Sequence, residues 1–442
     1  MITDFTLSRF FHPLRIGRYR HFLARAERFT EEQLRRDQDE QLRSLVRHAY
    51  GQVPYYRELF DGIGLRPDDI RTAADLRAIP PLTKDIVRSR GRDLLARDAP
   101  RRDATPVHTS GSTGTPMTFY ADRDLLTAKF ALFWRVWNWA GYRLGQRWAL
   151  LAGPVFEDGA LSRRIPLMNA LYLSSFNLTA KTAGRMLEAL QRFKPVFLRG
   201  YPSALYEFSR LVADPSALRR LGIRAISTNS ENLLDIQRAH LEDAFGVRVF
   251  DVYSQWEQVC VIAECERHTY HHQMEYGILE LLDEQGQSVT PGEPGEITAT
   301  SLLNRAMPFL RYRTRDLARL AVKPCPCGRP HTAVEALDGR LEDVITTPDG
   351  RRVGRLDAAF KWDRGFNFAQ VVQEAPDLLA VRLVKNADFR PELLGSLEHH
   401  LRDRVGPGMR FRFEFPDRIA PDPNGKIRFA INKLLSSPAP PH

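Results

Sequence analysis

The sequence predicts an α/β protein in two parts. A large N-terminal domain would hold a parallel sheet and a small β subdomain, and a small α+β C-terminal domain would follow. Three observations carry this reading. Between residues 145 and 255, short apolar runs alternate with amphipathic helical stretches, the pattern of parallel strands with helical crossovers. Between 276 and 322 the pattern changes to strands joined by tight turns, among them Pro291-Gly292-Glu293-Pro294-Gly295. From 340 to 442, strand-like and helical runs make a separate small unit.

The first hundred residues read as helical and charged. Glu31 to Ala49 places Leu34, Leu42, Leu45 and Val46 at helical spacing among many charges, as in an amphipathic surface helix. The Arg-rich start (Arg15, Arg18, Arg20, Arg25) suits such a helix, with a peripheral membrane role as the alternative. Phe130 to Tyr142 reads as a helix with Phe130, Phe133, Trp134 and Trp137 on one face, a stripe that packs in a core or lines a pocket.

Short buried strands follow at Trp148–Ala152, Val196–Leu198, Ala225–Ser227 and Val247–Phe250, with helices at Gly184–Phe193 and Asp235–Phe245. The turn-rich region contributes Gly277–Leu282, Gly295–Ser301 and Leu317–Val322. The last unit contributes strands Ala380–Val384 and Phe411–Phe415, a helix Arg390–Asp403 and a Pro-rich tail from Ser436.

With 442 residues, 43% hydrophobic and 27% charged, the chain is neither collagen, coiled coil nor a wholly disordered polymer. Lys and Arg number 64 against 54 Asp and Glu, a net charge of +10 that favours anionic partners such as nucleotides and coenzymes. The charge is spread along the chain with no basic tail, which argues against a nucleic-acid module. No run reaches the roughly 18 apolar residues of a membrane span. Met1 to Arg20 lacks the form of a secretory signal, so a cytoplasmic location is expected. Cys260 and Cys265 form one close pair and Cys325 and Cys327 another, which without export points to metal rather than disulfides. Cys260, between Val259 and Val261, reads as a buried thiol.

The most informative stretch is Thr109-Ser110-Gly111-Ser112-Thr113-Gly114-Thr115-Pro116. Gly111 and Gly114 permit a tight turn whose backbone N–H groups converge on an anion, and four hydroxyls add donors. It lacks the Gly-Lys-Ser/Thr ending of a Walker A loop.

This loop resembles the phosphate-binding loop of the adenylate-forming superfamily of acyl- and aryl-CoA synthetases and adenylation domains. Further segments match that family in order: Ser230-Glu231-Asn232-Leu233, Asp251-Val252-Tyr253-Ser254-Gln255-Trp256-Glu257, Gly292 to Thr300, Arg311 to Asp316, Gly339 to Ile345, and Pro423-Asn424-Gly425-Lys426-Ile427. Val53-Pro54-Tyr55-Tyr56, Pro80 to Lys84 and Arg199-Gly200-Tyr201-Pro202-Ser203 resemble the phenylacetate–CoA ligase-like branch.

The resemblance implies two half-reactions, an acid adenylated by ATP with Mg²⁺ and then passed to coenzyme A. Ser110, Gly111, Ser112, Thr113, Gly114 and Thr115 would cradle pyrophosphate, and Glu257 would hold Mg²⁺. Asp316 would bind ribose, Arg340 ribose or phosphate, and Lys426 would bridge carboxylate and α-phosphate. Ser230, Glu231, Asp251, Val252 and Tyr253 would bracket adenine. A mobile C-terminal domain, residues 340–442, would rotate against residues 1–339 about a hinge near 340–343, with Glu342 at the hinge and Gly339 giving local freedom. Three departures from the family pattern stand out: Ser254 for Gly, Trp256 for Thr and Arg315 for Gly.

Cys265, His271, Cys325 and Cys327 suit a tetrahedral zinc site, and the branch carries a similar pattern; His268 and His272 are alternatives for the histidine. The acid would sit between the Phe130–Tyr142 helix, the Arg199–Tyr201 strand end and the Tyr253–Trp256 loop. Trp134, Trp137, Tyr201 and Trp256 would make that pocket aromatic, which suits an aryl or arylalkyl acid. An amine, alcohol or carrier protein is the alternative acceptor, and a nucleotide-binding homologue without turnover the alternative class. A homodimer is one assembly to expect.

Overall fold

The computed structural model describes residues 13–102, 104–108, 117–153, 156, 158–353, 356–360, 365–421 and 427–434. Among them are helices α1 (Pro13–Ala26), α2 (Glu31–Gln52), α3 (Pro54–Ile63), α4 (Lys84–Arg90), α5 (Arg123–Trp139), α6 (Ala180–Phe193), α7 (Pro202–Leu211), α8 (Ser216–Arg219), α9 (Asp235–Phe245) and α10 (Leu393–Val405). The strands of the large region are β1 (Thr105–His108), β2 (Thr118–Ala121), β3 (Trp148–Ala152), β4 (Ser162–Ile165), β5 (Ala170–Ser174), β6 (Phe197–Gly200) and β7 (Ala225–Asn229). They continue with β8 (Arg248–Ser254), β9 (Val261–Glu264), β10 (Tyr270–His272), β11 (Gly277–Leu282), β12 (Pro294–Ser301), β13 (Tyr312–Leu320) and β14 (Ala333–Arg340).

Twelve of these strands form one sheet in the order β11-β12-β13-β14-β10-β9-β8-β7-β6-β3-β5-β4. Strands β5, β3, β6, β7 and β8 are parallel, and β8 pairs antiparallel with β9. The turn-rich β region is thus hydrogen-bonded directly onto the parallel sheet. Alternate residues feed opposite faces, as the two-residue period of a strand requires. Leu151, Leu198, Ile226 and Val249 pack under α6, α7 and α9 with Met186, Leu205 and Leu241. Trp148, Phe197, Phe250 and Val252 face the opposite core with α2, α3 and α5.

Helix α5 starts at Arg123, about two turns before the aromatic stripe, because Asp122 caps it by accepting the Leu125 N–H at 2.8 Å. It ends at Trp139 rather than Tyr142. Trp137 and Phe133 are buried, while Phe130 and Trp134 are half-buried against the same core. Strand β13 also starts early, at Tyr312, because its charges are paired: Arg313 with Glu296 on β12 and Arg319 with Asp338 on β14. Alternation in hydropathy does not reveal a strand whose polar residues are satisfied across the ladder.

In the C-terminal unit, a two-stranded ribbon of β15 (Ile345–Thr346) and β16 (Arg352–Val353) precedes β17 (Phe366–Ala375), β18 (Leu378–Lys385), β19 (Arg410–Glu414) and β20 (Ala430–Asn432). The last four form a sheet in the order β19-β18-β17-β20. Helix α10 covers it, and Leu397, Leu401 and Val405 meet Val371, Val381 and Leu383 in a core distinct from those of the large region. No helix among the described residues is long and apolar enough to cross a membrane. The Arg-rich start lies on α1, where Arg15 pairs with Asp124 and Ile16, Leu23 and Ala26 are buried.

Candidate active site

The carboxyl ends of β6, β7 and β8 converge where ligands bind in parallel sheets, outside the strand ends. Strand β7 runs out into Ser230, whose φ is +73° and whose Oγ accepts from Asn229 Nδ2 at 3.0 Å. Glu231 then folds back to the first turn of α7. That helix has Pro202 at its start and no side-chain cap of its own. Glu231 supplies one from a distance, accepting from Ser203 N–H at 3.0 Å and Ser203 Oγ at 2.9 Å. Its Oε1 also accepts the Ile427 N–H at 3.0 Å, which ties the large region to the C-terminal unit.

On β8, Asp251 is buried in the sheet. Thr228 Oγ1 donates to it at 2.6 Å and the Tyr270 hydroxyl at 2.9 Å. Burial, and secondarily the Glu264 charge, push its carboxyl up to about 6. Val252, the next residue, is also buried and packs in the core. Tyr253 lies near the carboxyl end of β8 and donates its hydroxyl to Asp316 Oδ2 at 2.7 Å. Asp316 on β13 lies opposite Arg340 on β14, with Arg340 Nε 3.5 Å from Asp316 Oδ1. Glu257, after β8, is buried and accepts from the Tyr312 hydroxyl at 3.0 Å. Tyr312 stacks on Phe309 with ring centres 5.0 Å apart, so the phenol that orients Glu257 is itself fixed.

The structure thus gathers Tyr253, Glu257, Asp316 and Arg340 around the ends of β8, β13 and β14. Ser230 and Glu231 lie on the β7 side. Asp251 and Val252 are part of the supporting sheet. The six phosphate-loop residues Ser110 to Thr115, Lys426, and the side chain of Glu342 lie outside the described residues. The strands flanking the loop form a hairpin that sets His108 opposite Thr118.

Arg315 adopts a φ of +66°, the left-handed region where glycine is at ease, and its N–H donates to Glu296 Oε1 at 2.9 Å. Gly339 has a φ of +94°, and a Cβ there would stand 2.7 Å from Asn232 Nδ2. The conformation favours glycine at this position, and any side chain there would also push the Asn232 amide aside.

The wall where the sequence places the acid is aromatic. Trp137 packs against Trp148 and Phe197 with ring centres 5.3 and 6.0 Å away, and Trp134 lies 6.4 Å from Phe130. Tyr201 sits at the start of α7, its N–H donating to Leu151 O at 3.1 Å. Trp256 is 42% exposed. Sequence reasoning used Arg199 only as a motif letter and passed over Lys129. Both project onto this aromatic wall, and a cation inside an otherwise apolar stripe was the available signal. It also missed the capping role of Glu231, which depends on a contact made only in the fold.

Cys265, His271, Cys325 and Cys327 come together with all ligand atoms within 4.8 Å of one another. Cys265 Sγ is 3.8 Å from Cys325 Sγ, and Cys327 Sγ is 3.3 Å from His271 Nε2. Tetrahedral zinc with Zn–S near 2.3 Å sets sulfurs about 3.8 Å apart, so the donor set fits that ion. His271 Nδ1 faces His331 O at 3.2 Å, which leaves Nε2 free to coordinate. His268 turns instead to Arg238 and Glu264, and His272 Nε2 is buried away from the cluster's bonds. Cys260 is buried and its thiol is pushed up to about 12 by desolvation.

The model of the CapK C-terminal domain family matches residues 345–433. Protein CapK of Staphylococcus aureus is 25% identical over 391 residues, covering 86% of this chain and 85% of that protein. The phenylacetate–coenzyme A ligase of Aromatoleum evansii is 29% identical over 338 residues, 72% of this chain and 73% of the relative. That of Thermus thermophilus is 28% identical over 333 residues, with 72% and 73% covered. A solved 2-hydroxyisobutyryl-CoA ligase in its postadenylation state superimposes with a TM-score of 0.76 at 19% identity, covering 92% of this chain and 91% of that one. The same ligase in its thioesterification state gives 0.59 at 20% identity, with 94% of each chain covered. The sequence relatives put the chain in the phenylacetate–CoA ligase-like branch of the adenylate-forming superfamily, and the solved ligase shares its fold.

Proposed function

We propose that the protein is an AMP-forming acid ligase that adenylates a carboxylic acid, aryl or arylalkyl in kind, and passes the acyl group to coenzyme A. The observation that carries this is the Tyr253–Asp316–Arg340 chain beside buried Glu257 at the ends of β8, β13 and β14. It offers a carboxylate for ribose hydroxyls, a guanidinium for phosphate and a hard oxygen donor for a divalent cation.

In this reading the acid carboxylate attacks the α-phosphorus of ATP and pyrophosphate leaves. Glu257 would hold Mg²⁺, which when bound would supply charge neutralisation for the leaving group. Tyr312 holds Glu257 in place, and Asp316 orients the ribose while Tyr253 holds Asp316. Ser110, Gly111, Ser112, Thr113, Gly114 and Thr115 would surround the pyrophosphate, and Lys426 would bridge the reacting oxygens. The Glu231–Ile427 bond would hold the segment beside Lys426 over the site during adenylation. Rotation about residues 340–343, with Glu342 at the hinge, would then break it and admit the thiol. Trp134, Trp137, Tyr201 and Trp256 would line the acyl pocket. Cys265, His271, Cys325 and Cys327 would hold a structural zinc, since all four positions are then protein ligands. The substrates imply a cytoplasmic enzyme.

The test is a hydroxamate assay with ATP, Mg²⁺ and hydroxylamine over aryl, fatty and amino acids, with Lys426→Ala alongside. Hydroxamate formed by the wild type and lost in the variant supports adenylation. Adding coenzyme A should then yield a thioester and AMP. Silence over the whole panel with nucleotide binding intact would count against the ligase reading.

A further inference from the structure

The acyl-side wall holds two cations that the steps above do not use. Lys129, on α5, places Nζ 5.4 Å from the centre of the Trp256 ring and 5.9 Å from that of Phe133. Arg199, on β6, lays its guanidinium 4.1 Å from the centre of Trp137, 5.4 Å from Trp148 and 5.8 Å from Phe133. Phe133 is therefore a neighbour of both. Among the described residues, neither cation has an acidic partner. Arg199 Nε is buried with no hydrogen bond, and so is the neighbouring Trp137 Nε1.

Other sequestered arginines of this chain are handled differently. Arg135 meets Glu275, Arg238 meets Glu264, and Arg311 meets Glu280. Ring faces attract a cation but do not replace a counter-ion. Two like charges set against the same aromatic cluster are unfavourable until an anion arrives. Desolvation, with the Arg199 charge added, pushes Lys129 down to about 8.

We propose that the acid substrate carries a second anionic group, remote from the carboxylate that is activated, and that Arg199 receives it with Lys129 alongside. This rests on the ligase reading and narrows its substrate to a dianionic acid. A guanidinium offers a planar pair of donors to a carboxylate, and the orphaned Nε and the Trp137 N–H mark where donors await an acceptor. Trp256, which replaces the family's threonine, presents its ring to Lys129 and so belongs to this wall.

The test is calorimetric titration of the full-length protein in the presence of AMP, with matched probes: 4-carboxyphenylacetate against its ring methyl ester, and glutarate against its monomethyl ester. At least one diacid should bind tenfold or more tighter than its monoester. Lys129→Met and Arg199→Met should each remove most of that difference while AMP affinity holds as the folding control. Lys129 and Arg199 are both half-buried and lie on different elements, so either variant keeps the test alive if the other unfolds the chain. Equal affinity for diacid and monoester, no binding of any probe, or a diacid preference that survives the variants would overturn the proposal. The titration needs no turnover. Failure of the ligase reading shows separately, as absence of hydroxamate from an acid that binds.

Discussion

Ile427 donates its backbone N–H to the carboxylate of Glu231 at 3.0 Å, across the seam between the large sheet and the C-terminal unit. The same carboxylate caps α7 through Ser203. One side chain therefore joins a helix cap to the C-terminal unit. Glu231→Ala should cost about 1 kcal/mol of stability through the lost cap. It should slow hydroxamate formation about tenfold, yet leave thioester formation from a supplied acyl-adenylate nearly unchanged. Equal slowing of both half-reactions would reject the closure role.

Tyr312 and Glu257 share one bond, at 3.0 Å, in a buried setting. A hydrogen bond to a charged group contributes about 1.5–3 kcal/mol. Tyr312→Phe should therefore lower the adenylation rate roughly tenfold or more and raise the Mg²⁺ concentration needed for half-maximal rate. Glu257→Gln should abolish adenylation. A magnesium titration of the hydroxamate rate decides both.

Chelator-free protein should contain one zinc per chain by elemental analysis. Cys327→Ser or His271→Ala should lose it and melt at lower temperature, because the site ties the β9–β10 turn to the loop between β13 and β14. Full stability after exhaustive chelation would exclude a structural metal.

Gly339→Ala would force a side chain into a φ of +94° and against Asn232. The expected cost is about 1–2 kcal/mol, read as a lower midpoint in urea. Arg315→Gly, by contrast, relieves a φ of +66° and should be neutral or stabilising in the same measurement.

Asp251 has its carboxyl raised to about 6, above the roughly 3.9 of an unfolded chain. The folded state then holds the proton more tightly than the unfolded one. Its contribution is present in full below pH 4 and is lost as pH rises towards and through 6. The stability of the wild type minus that of Asp251→Asn should accordingly fall between pH 4 and 6. A flat difference would show that Thr228 and Tyr270 offset the burial.

The parallel strands were legible because alternation of apolar residues with amphipathic helices survives even at low resolution of the pattern: Asp235–Phe245 is bounded as the sequence implies. Strand β13 was read short because Arg313 and Asp316 hide it, and α5 was read late because its cap at Asp122 precedes the aromatic residues. At the site, the cysteines Cys265, Cys325 and Cys327 were legible as metal ligands from residue type and the family's pattern. The choice among three histidines was not, since only the turn of β10 aims Nε2 of His271 at the sulfurs. Asp251 was drawn from its motif as an adenine contact, whereas its carboxylate is held inside the sheet by Thr228 and Tyr270. Sequence neighbours of a ligand-binding residue alternate between the two faces of a strand, and the motif does not say which face each takes.

The hydrophobic core of the C-terminal unit shares no residue with the cores beneath the twelve-stranded sheet. Heat should therefore resolve two melting events, a small one for this unit and a large one for the sheet. Nucleotide bound across the seam would draw the two together. The separation between them, followed in a calorimeter, becomes a direct gauge of how firmly the C-terminal unit is held to the sheet.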